Sequence, residues 1–237
     1  MLQNHIDTFK FCNMFRKISK FEEKNVSRLS ADLFWSFRSP YSYLGIKRYR
    51  QLSQDYDLQI NLRAVYPLAI RNPEFFDAVN KNWISYLMRD CLRVAQFNDL
   101  PFTFPSPDPV NMDMQTRKIS EDQPIIHWIT RLGISAAQMG GGVAFADEIS
   151  AMIWGGTKEW NSDENMNAAC QRAGLNYEKL IASVAGQEAN LDAHGAGRAL
   201  FVRCNICRTV YGAVCCFTIL ADISVEIAQQ INLSKLL

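Results

Sequence analysis

A hydroxyl, Ser39, stands between an apolar run and a proline in Leu33-Phe34-Trp35-Ser36-Phe37-Arg38-Ser39-Pro40-Tyr41-Ser42-Tyr43-Leu44. That placement gives it chemistry an isolated serine lacks. Leu33 to Phe37 is aromatic and apolar enough for a buried strand. Ser39 is a favoured helix N-cap, and Pro40 suits the first helical position, where its missing N–H has no intrahelical partner to lose. The reading is a strand-to-helix turn with Ser39 at the positive end of a helix dipole, which favours an anion such as a thiolate or carboxylate. An ordinary capped helix has the same residue pattern, so the stretch alone leaves both readings open.

Other groups able to do chemistry are fewer. Arg71 and Lys81 are available to hold a carboxylate, or are solvated surface charges. Trp83, Trp128, Trp154 and Trp160 could wall an aromatic pocket, although aromatics at helical spacing are more often core. His127, between Ile126 and Trp128, reads as packed or surface. Gly140-Gly141-Gly142 follows no predicted strand and reads as a helix break, not a phosphate loop. The three His residues are too dispersed for a metal site. Of seven Cys, four (Cys204, Cys207, Cys215, Cys216) crowd the last 35 residues, while Cys12, Cys91 and Cys170 stand alone. The adjacent second pair without a nearby His argues against zinc, and an odd count so distributed is no secreted disulfide framework.

The elements that position Ser39 follow in order. Tyr41 to Tyr56 carries Leu44, Tyr49 and Leu52 with Lys47, Arg48 and Arg50 between, an amphipathic helix. Leu58 to Tyr66 alternates apolar and polar as a half-buried strand, completing a parallel strand–helix–strand unit. From Pro67 to about residue 190 the character is helical. Trp83 to Phe97, Ile125 to Met139, Val143 to Trp154, Glu164 to Ala173 and Tyr177 to Val184 are predicted helices. Pro101 to Pro109 holds four of the eight prolines and must be an extended connector.

Composition sets outer bounds. At 237 residues and 48% hydrophobic content a substantial core is available. With 25 basic and 24 acidic residues, charge gives no reason to expect nucleic acid or an anionic membrane as partner. No apolar run approaches the roughly 18 to 20 residues of a spanning helix. Residues 1–30 read as an N-terminal extension or a misassigned start, with Met14 an alternative initiator. They lack the apolar core of a secretory signal, and a cytoplasmic, reducing setting is expected.

The Phe37-Arg38-Ser39-Pro40-Tyr41-Ser42-Tyr43-Leu44 stretch resembles the Ser-Pro-aromatic-Ser-aromatic-Leu signature of the 2-hydroxychromene-2-carboxylate isomerases and of kappa-class glutathione transferases. Both belong to the DsbA-like branch of the thioredoxin fold. The similarity continues through Tyr86, Asp90 and Arg93, Leu100-Pro101-Phe102, Pro107-Asp108-Pro109-Val110, Gln123-Pro124, Thr130-Arg131-Leu132-Gly133 and Ile153-Trp154-Gly155-Gly156, over roughly residues 31 to 203. It implies an α/β, thioredoxin-like (DsbA-like) domain over 31–237, with a large helical insertion at about 73–190 and a divergent segment at 203–237. Redox members of that branch carry Cys-x-x-Cys where this chain has Ser39-Pro40-Tyr41-Ser42. A hydroxyl cannot form a disulfide, so disulfide exchange at this turn is excluded.

The resemblance further implies glutathione as cofactor and a small aromatic substrate. Ser39 would donate to the glutathione sulfur, and Asn72 would contact the sulfur or substrate region. Family members then open a strand with Gly-Val-Pro-Thr, whose proline is cis and whose preceding residue offers backbone groups to glutathione. The corresponding residues here are Gly197, Arg198, Ala199 and Leu200. A cis bond before a residue other than proline costs about 2.5 to 4 kcal/mol, so Ala199 is expected to be trans. Beyond Val202 the likeness ends. Either the reading frame of the gene has shifted or the C-terminal hairpin is divergent. Gly-Arg-Ala-Leu encoded as GGC-CGT-GCC-CTN becomes Gly-Val-Pro on loss of one C, which agrees with a shift. Weak glutathione binding is the expectation. The function expected is glutathione-dependent isomerisation. A kappa-like transferase, an oxidoreductase by fold alone and an inactive truncated binding protein stay open, as does the choice between monomer and homodimer.

Overall fold

The computed structural model describes residues 29–72, 74, 80, 82–113, 116 and 118–196. The expectations for residues 1–28, Lys81, Arg198, Ala199 and 203–237 lie outside the described residues.

Two parallel strands, β1 (Leu29–Trp35) and β2 (Leu58–Ala64), run in register from Leu29 opposite Leu58 to Trp35 opposite Ala64. Parallel neighbours need a crossover, and α1 (Pro40–Asp55) supplies it. Side chains alternate across a strand, so Leu33, Trp35, Leu62 and Ala64 are buried, while Phe34 and Arg63 between them are exposed. β1 starts four residues before Leu33, the start expected from apolarity, because Leu29 and Ser30 are exposed yet pair with Leu58 and Gln59. It also stops before Phe37, because the Ser39 N–H turns back to the Ser36 carbonyl at 3.1 Å.

Helices account for most of the remaining described chain. They are α2 (Leu68–Arg71), α3 (Asn82–Phe97), α4 (Pro124–Gln138), α5 (Gly142–Gly155), α6 (Asp163–Arg172), α7 (Tyr177–Val184) and α8 (Glu188–Gly195). The helices expected from periodicity occur within a residue or two of their expected bounds. Two were not anticipated. The four residues of α2 are too few to show a period, and α8 buries only Leu191 and Gly195, so no apolar stripe marks it. Gly140, at φ 82°, ends the α4 segment and α5 begins two residues later, the break expected of the glycine triplet.

The core lies between the strands, α1, α4 and α5. Trp35, Phe37, Trp154 and Trp160 are fully enclosed within it. Each such side chain contributes about 1.5 to 3 kcal/mol by leaving water. Gly133 lets α4 approach Phe37: a Cβ there would lie 2.6 Å from the ring Cε2. Arg50 of α1 reaches Asp147 at 2.7 Å and Glu148 at 3.1 Å, fastening α1 to α5. None of the helices among the described residues is long and apolar enough to cross a membrane.

Two outcomes follow from this packing. Gly133→Ala forces a methyl into the enclosed Phe37 ring, and a loss of about 1 to 3 kcal/mol in urea unfolding is expected. An unchanged midpoint would show that α4 and Phe37 are not in contact. Cys91 and Cys170 are both buried, and burial pushes each thiol up to about 11. Both therefore stay protonated far above neutrality. Iodoacetamide at about pH 8 is expected to spare both in the folded protein and to modify both in denaturant, by peptide mass spectrometry. Ready modification of either in the folded protein contradicts the packing.

Candidate functional site

Both strands end at one edge. The Val65 N–H donates to the Trp35 carbonyl at 2.8 Å, so the chain beyond Trp35 and the chain beyond Ala64 leave side by side. Ser39 lies four residues past Trp35. Ligands of open α/β sheets bind outside these carboxyl ends.

Ser39 is half-buried, with the extended backbone of an N-cap (φ −87°, ψ 118°). Its Oγ accepts from the Ser42 N–H at 3.3 Å, and Pro40 opens the helix as the sequence predicts. A hydroxyl has one proton to donate and two lone pairs to accept with. The helix occupies one lone pair, and no described group receives the proton. The oxygen is neither sealed in the core nor engaged as a donor, so it can donate to a ligand that carries negative charge.

The turn is fixed from several sides. Arg38 Nε and Nη2 donate to the two carboxylate oxygens of Asp108 at 2.5 and 2.7 Å, a forked pair. The same guanidinium lies 5.2 Å from the centre of the Trp154 ring. Trp154 Nε1 donates to the Phe37 carbonyl at 3.2 Å, and Asp108 Oδ1 also accepts from the Val110 N–H at 2.9 Å. Trp154 stacks on Phe102, which stacks on Tyr43, and the Tyr43 hydroxyl donates to the Pro101 carbonyl at 2.6 Å. The proline-rich connector is thereby clasped against the turn. On the other side the Tyr41 hydroxyl donates to Asp90 at 2.5 Å. Burial, with Asp90 as acceptor next in effect, raises the Tyr41 phenol well above its usual range and keeps it a donor.

Asn72 ends α2 as its C-cap, exposed, with its N–H on the Leu68 carbonyl at 2.8 Å. It lies eight residues past Ala64, the last residue of β2. Arg71 donates from Nε to the Tyr66 carbonyl at 2.7 Å, so this guanidinium braces the loop. Tyr66 itself belongs to a polar cluster. Its hydroxyl donates to Asp192, and Arg131 Nε and Nη2 each reach an Asp192 oxygen at 2.7 Å. The Arg131 bonds hold the Asp192 carboxyl below its ordinary range, helped by the Tyr66 hydroxyl and the nearby His127. The Tyr66 N–H donates to the Gly195 carbonyl at 2.7 Å, which brings the end of α8 to the same edge.

Of the expected site residues, the structure sets Ser39 and Asn72 just beyond the ends of β1 and β2. Arg198 and Ala199 lie outside the described residues. Trp154 and Trp160 are sealed in the core, so neither presents a ring face to a ligand, whereas Trp83 and Trp128 are half-buried. Sequence reading did not pair Arg38 with Asp108, Tyr41 with Asp90, or Arg131 with Asp192. The available signal was that all of these residues except Asp192 sit inside the separated stretches that resemble the isomerases.

Residues 31–199 match the DSBA-like thioredoxin domain family. A curated relative, the 2-hydroxychromene-2-carboxylate isomerase of Pseudomonas putida, is 35% identical over 79 residues, 32% of this chain and 39% of that protein. The chain thus aligns with well under half the length of that relative. A solved structure of 2-hydroxychromene-2-carboxylate isomerase superposes with a TM-score of 0.57 at 17% identity, covering 86% of this chain and 99% of the other. That likeness agrees with the strand–helix–strand start and the helical block that follows. With a family match spanning most of its length, the chain belongs to the DSBA-like thioredoxin domain family.

Proposed function

We propose that this chain is a glutathione-dependent isomerase acting on 2-hydroxychromene-2-carboxylate or a close aromatic relative. The observation that carries the reading is the Ser39 hydroxyl at the helix N-terminus, one lone pair of which is engaged by α1 while its proton has no acceptor among the described residues. Cys-x-x-Cys chemistry has no counterpart at Ser39-Pro40-Tyr41-Ser42, so a thiol acting here comes from outside the turn. The isomerase relatives support the choice of reaction.

The donor set fits a thiolate. A charge-assisted hydrogen bond from Ser39 and the positive end of α1 both favour sulfur in its anionic form. Glutathione, when bound, supplies the nucleophile that adds to the conjugated ring system and leaves after the ring has opened and rotated. Ser39 orients that sulfur and stabilises its charge, and the forked Arg38–Asp108 pair holds the Ser39 turn in place. Asn72 is the side chain on the β2 side of the edge that can face the sulfur or substrate. Arg198 and Ala199 occupy the positions that contact glutathione through the backbone in relatives. With alanine in place of the proline, retention of the tripeptide is weakened.

Rates of isomerisation of a hydroxychromene carboxylate, followed spectroscopically at about 20 mM glutathione, compare wild type with Ser39→Ala. Loss of a hydrogen bond to a charged group is worth about 1.5 to 3 kcal/mol, so a fall of about 10- to 100-fold is expected. Titration calorimetry is expected to show glutathione binding weaker than millimolar. Equal rates for the two proteins refute the role of Ser39, and a stable glutathione conjugate without isomer assigns the chain to the transferases instead. Tight glutathione binding refutes the consequence drawn from Ala199.

A further inference from the structure

His127 lies on α4 with its ring centre 4.7 Å from that of Tyr66 and the planes inclined by 31°. Sequence reading treats it as a packed or surface residue, and the structure agrees: the ring packs on Tyr66 and is part-exposed. The residue is half-buried, and neither ring nitrogen has a hydrogen-bond partner among the described residues. A structural histidine in a helix normally has at least one nitrogen engaged. Here the ring is held by stacking while both nitrogens are spare.

Its position is equally specific. Tyr66 lies two residues beyond Ala64, the last residue of β2, and Ser39 lies four beyond Trp35, the residue opposite Ala64. Both leave the sheet at the same edge. α4 descends from that edge: His127 lies against Tyr66, and Gly133, six residues later, against Phe37 and Ala64. His127 is therefore at the Ser39 end of the molecule and not at the opposite end of the strands.

The surroundings hold the ring without consuming it. Tyr66 faces it from the end of β2, Asp192 of α8 lies near enough to feel its charge, Arg131 follows one turn later in α4 and binds Asp192, and Arg71 of α2 braces the Tyr66 carbonyl. Asp192 is fully engaged by the forked Arg131 and the Tyr66 hydroxyl. It lends negative potential nearby yet does not tie up an imidazole nitrogen. Such a base can exchange protons with a bound molecule.

We infer that His127 is the general acid–base of the ring-opening step, resting on the isomerase reading above. In a 2-hydroxychromene-2-carboxylate the carbon bearing the hydroxyl also bears the ring oxygen, a hemiketal. His127 takes the proton from that hydroxyl as its oxygen forms the carbonyl. The bond from carbon to the ring oxygen breaks, its electron pair stays on the phenolic oxygen, and the imidazolium returns the proton there. No proton, electron or co-reactant is left over. Tyr66, Arg131 and Asp192 are positioning residues for the imidazole.

The test uses the full chain in two measurements. In the first, isomerisation rates of wild type and His127→Gln are taken between about pH 5 and 8, with glutathione affinity measured alongside by calorimetry. A positioned acid–base contributes about 10²- to 10⁴-fold, so a loss of at least about 100-fold is expected with affinity unchanged. In the second, the Cε1 proton of His127 is assigned by its absence from the variant's NMR spectrum and titrated. The wild-type rate should fall on the acid side with the same midpoint, and that limb should be missing in the variant. The wild-type comparison of midpoints stands even if the variant folds poorly. A wild type that isomerises, with a variant within about threefold of it or a rate profile that ignores the titration, overturns the inference alone. A wild type that does not isomerise overturns it together with the reading on which it rests.

Discussion

The forked ion pair between Arg38 and Asp108 is the contact on which the geometry of the site depends. Ser39 follows Arg38 directly, and the turn that carries it has one backbone hydrogen bond of its own, from Ser39 to Ser36. A turn so lightly closed would sample several orientations of the hydroxyl. The guanidinium removes that freedom because two parallel bonds to one carboxylate define a plane as well as a distance. Trp154 closes the arrangement, lying beside the guanidinium and donating to the Phe37 carbonyl on the other side of the turn. The pair is partly exposed, at 18% and 25% of its side-chain surface, so its importance lies less in stability than in direction. Lysine would keep the charge and lose the plane.

In the redox branch of this fold the strand-to-helix turn carries its own sulfur. Here a sulfur that the structure places beside α1, that of Cys91, is of another kind. Cys91 adjoins Asp90, which receives the Tyr41 hydroxyl, but it is buried with its thiol pushed up to about 11. It is a packing residue of α3, chemically quiet at neutral pH. The polarity of the turn is retained without the cysteine pair, the arrangement that the proposed thiol-dependent reaction requires.

Much of this was legible in the sequence, for identifiable reasons. The apolar run, the N-cap serine and the proline after it are local signals, and they located β1, α1 and Ser39 because backbone propensities there agree with the tertiary fold. The long amphipathic helices α3, α4 and α5 were legible from periodicity. The limits of β1 were not, since Leu29 and Ser30 belong to the strand through their ladder to Leu58 and Gln59 and not through burial. α8 was missed because ion pairing holds it instead of an apolar stripe. Arg38–Asp108 spans 70 residues and Arg131–Asp192 spans 61, and no single-sequence pattern encodes such a partnership. His127 reads in the sequence as packed or surface, as the structure has it, and what sets it apart further, the hydrogen bonds it does not make among the described residues, only coordinates display.

The same reasoning explains why the polar cluster around Asp192 matters to the edge as a whole. α8 has little apolar surface to anchor it, with only Leu191 and Gly195 buried. Its attachment comes from Arg131 and Tyr66 on Asp192, and from the Tyr66 N–H on the Gly195 carbonyl. Tyr66 therefore serves four contacts at once: it stacks on His127, donates its hydroxyl to α8, donates its N–H to the end of α8, and accepts from Arg71 at its carbonyl. Burial, reinforced by Asp192 as acceptor, pushes its phenol far above the usual range, so the donor persists at any ordinary pH. The acceptor is the weaker member. The Asp192 carboxyl is depressed in the folded state, so its contribution is complete above the ordinary carboxylate range and is lost only as acid protonates it below that range. Near neutrality the cluster is a fixed frame, and the His127 ring is stacked against it through Tyr66.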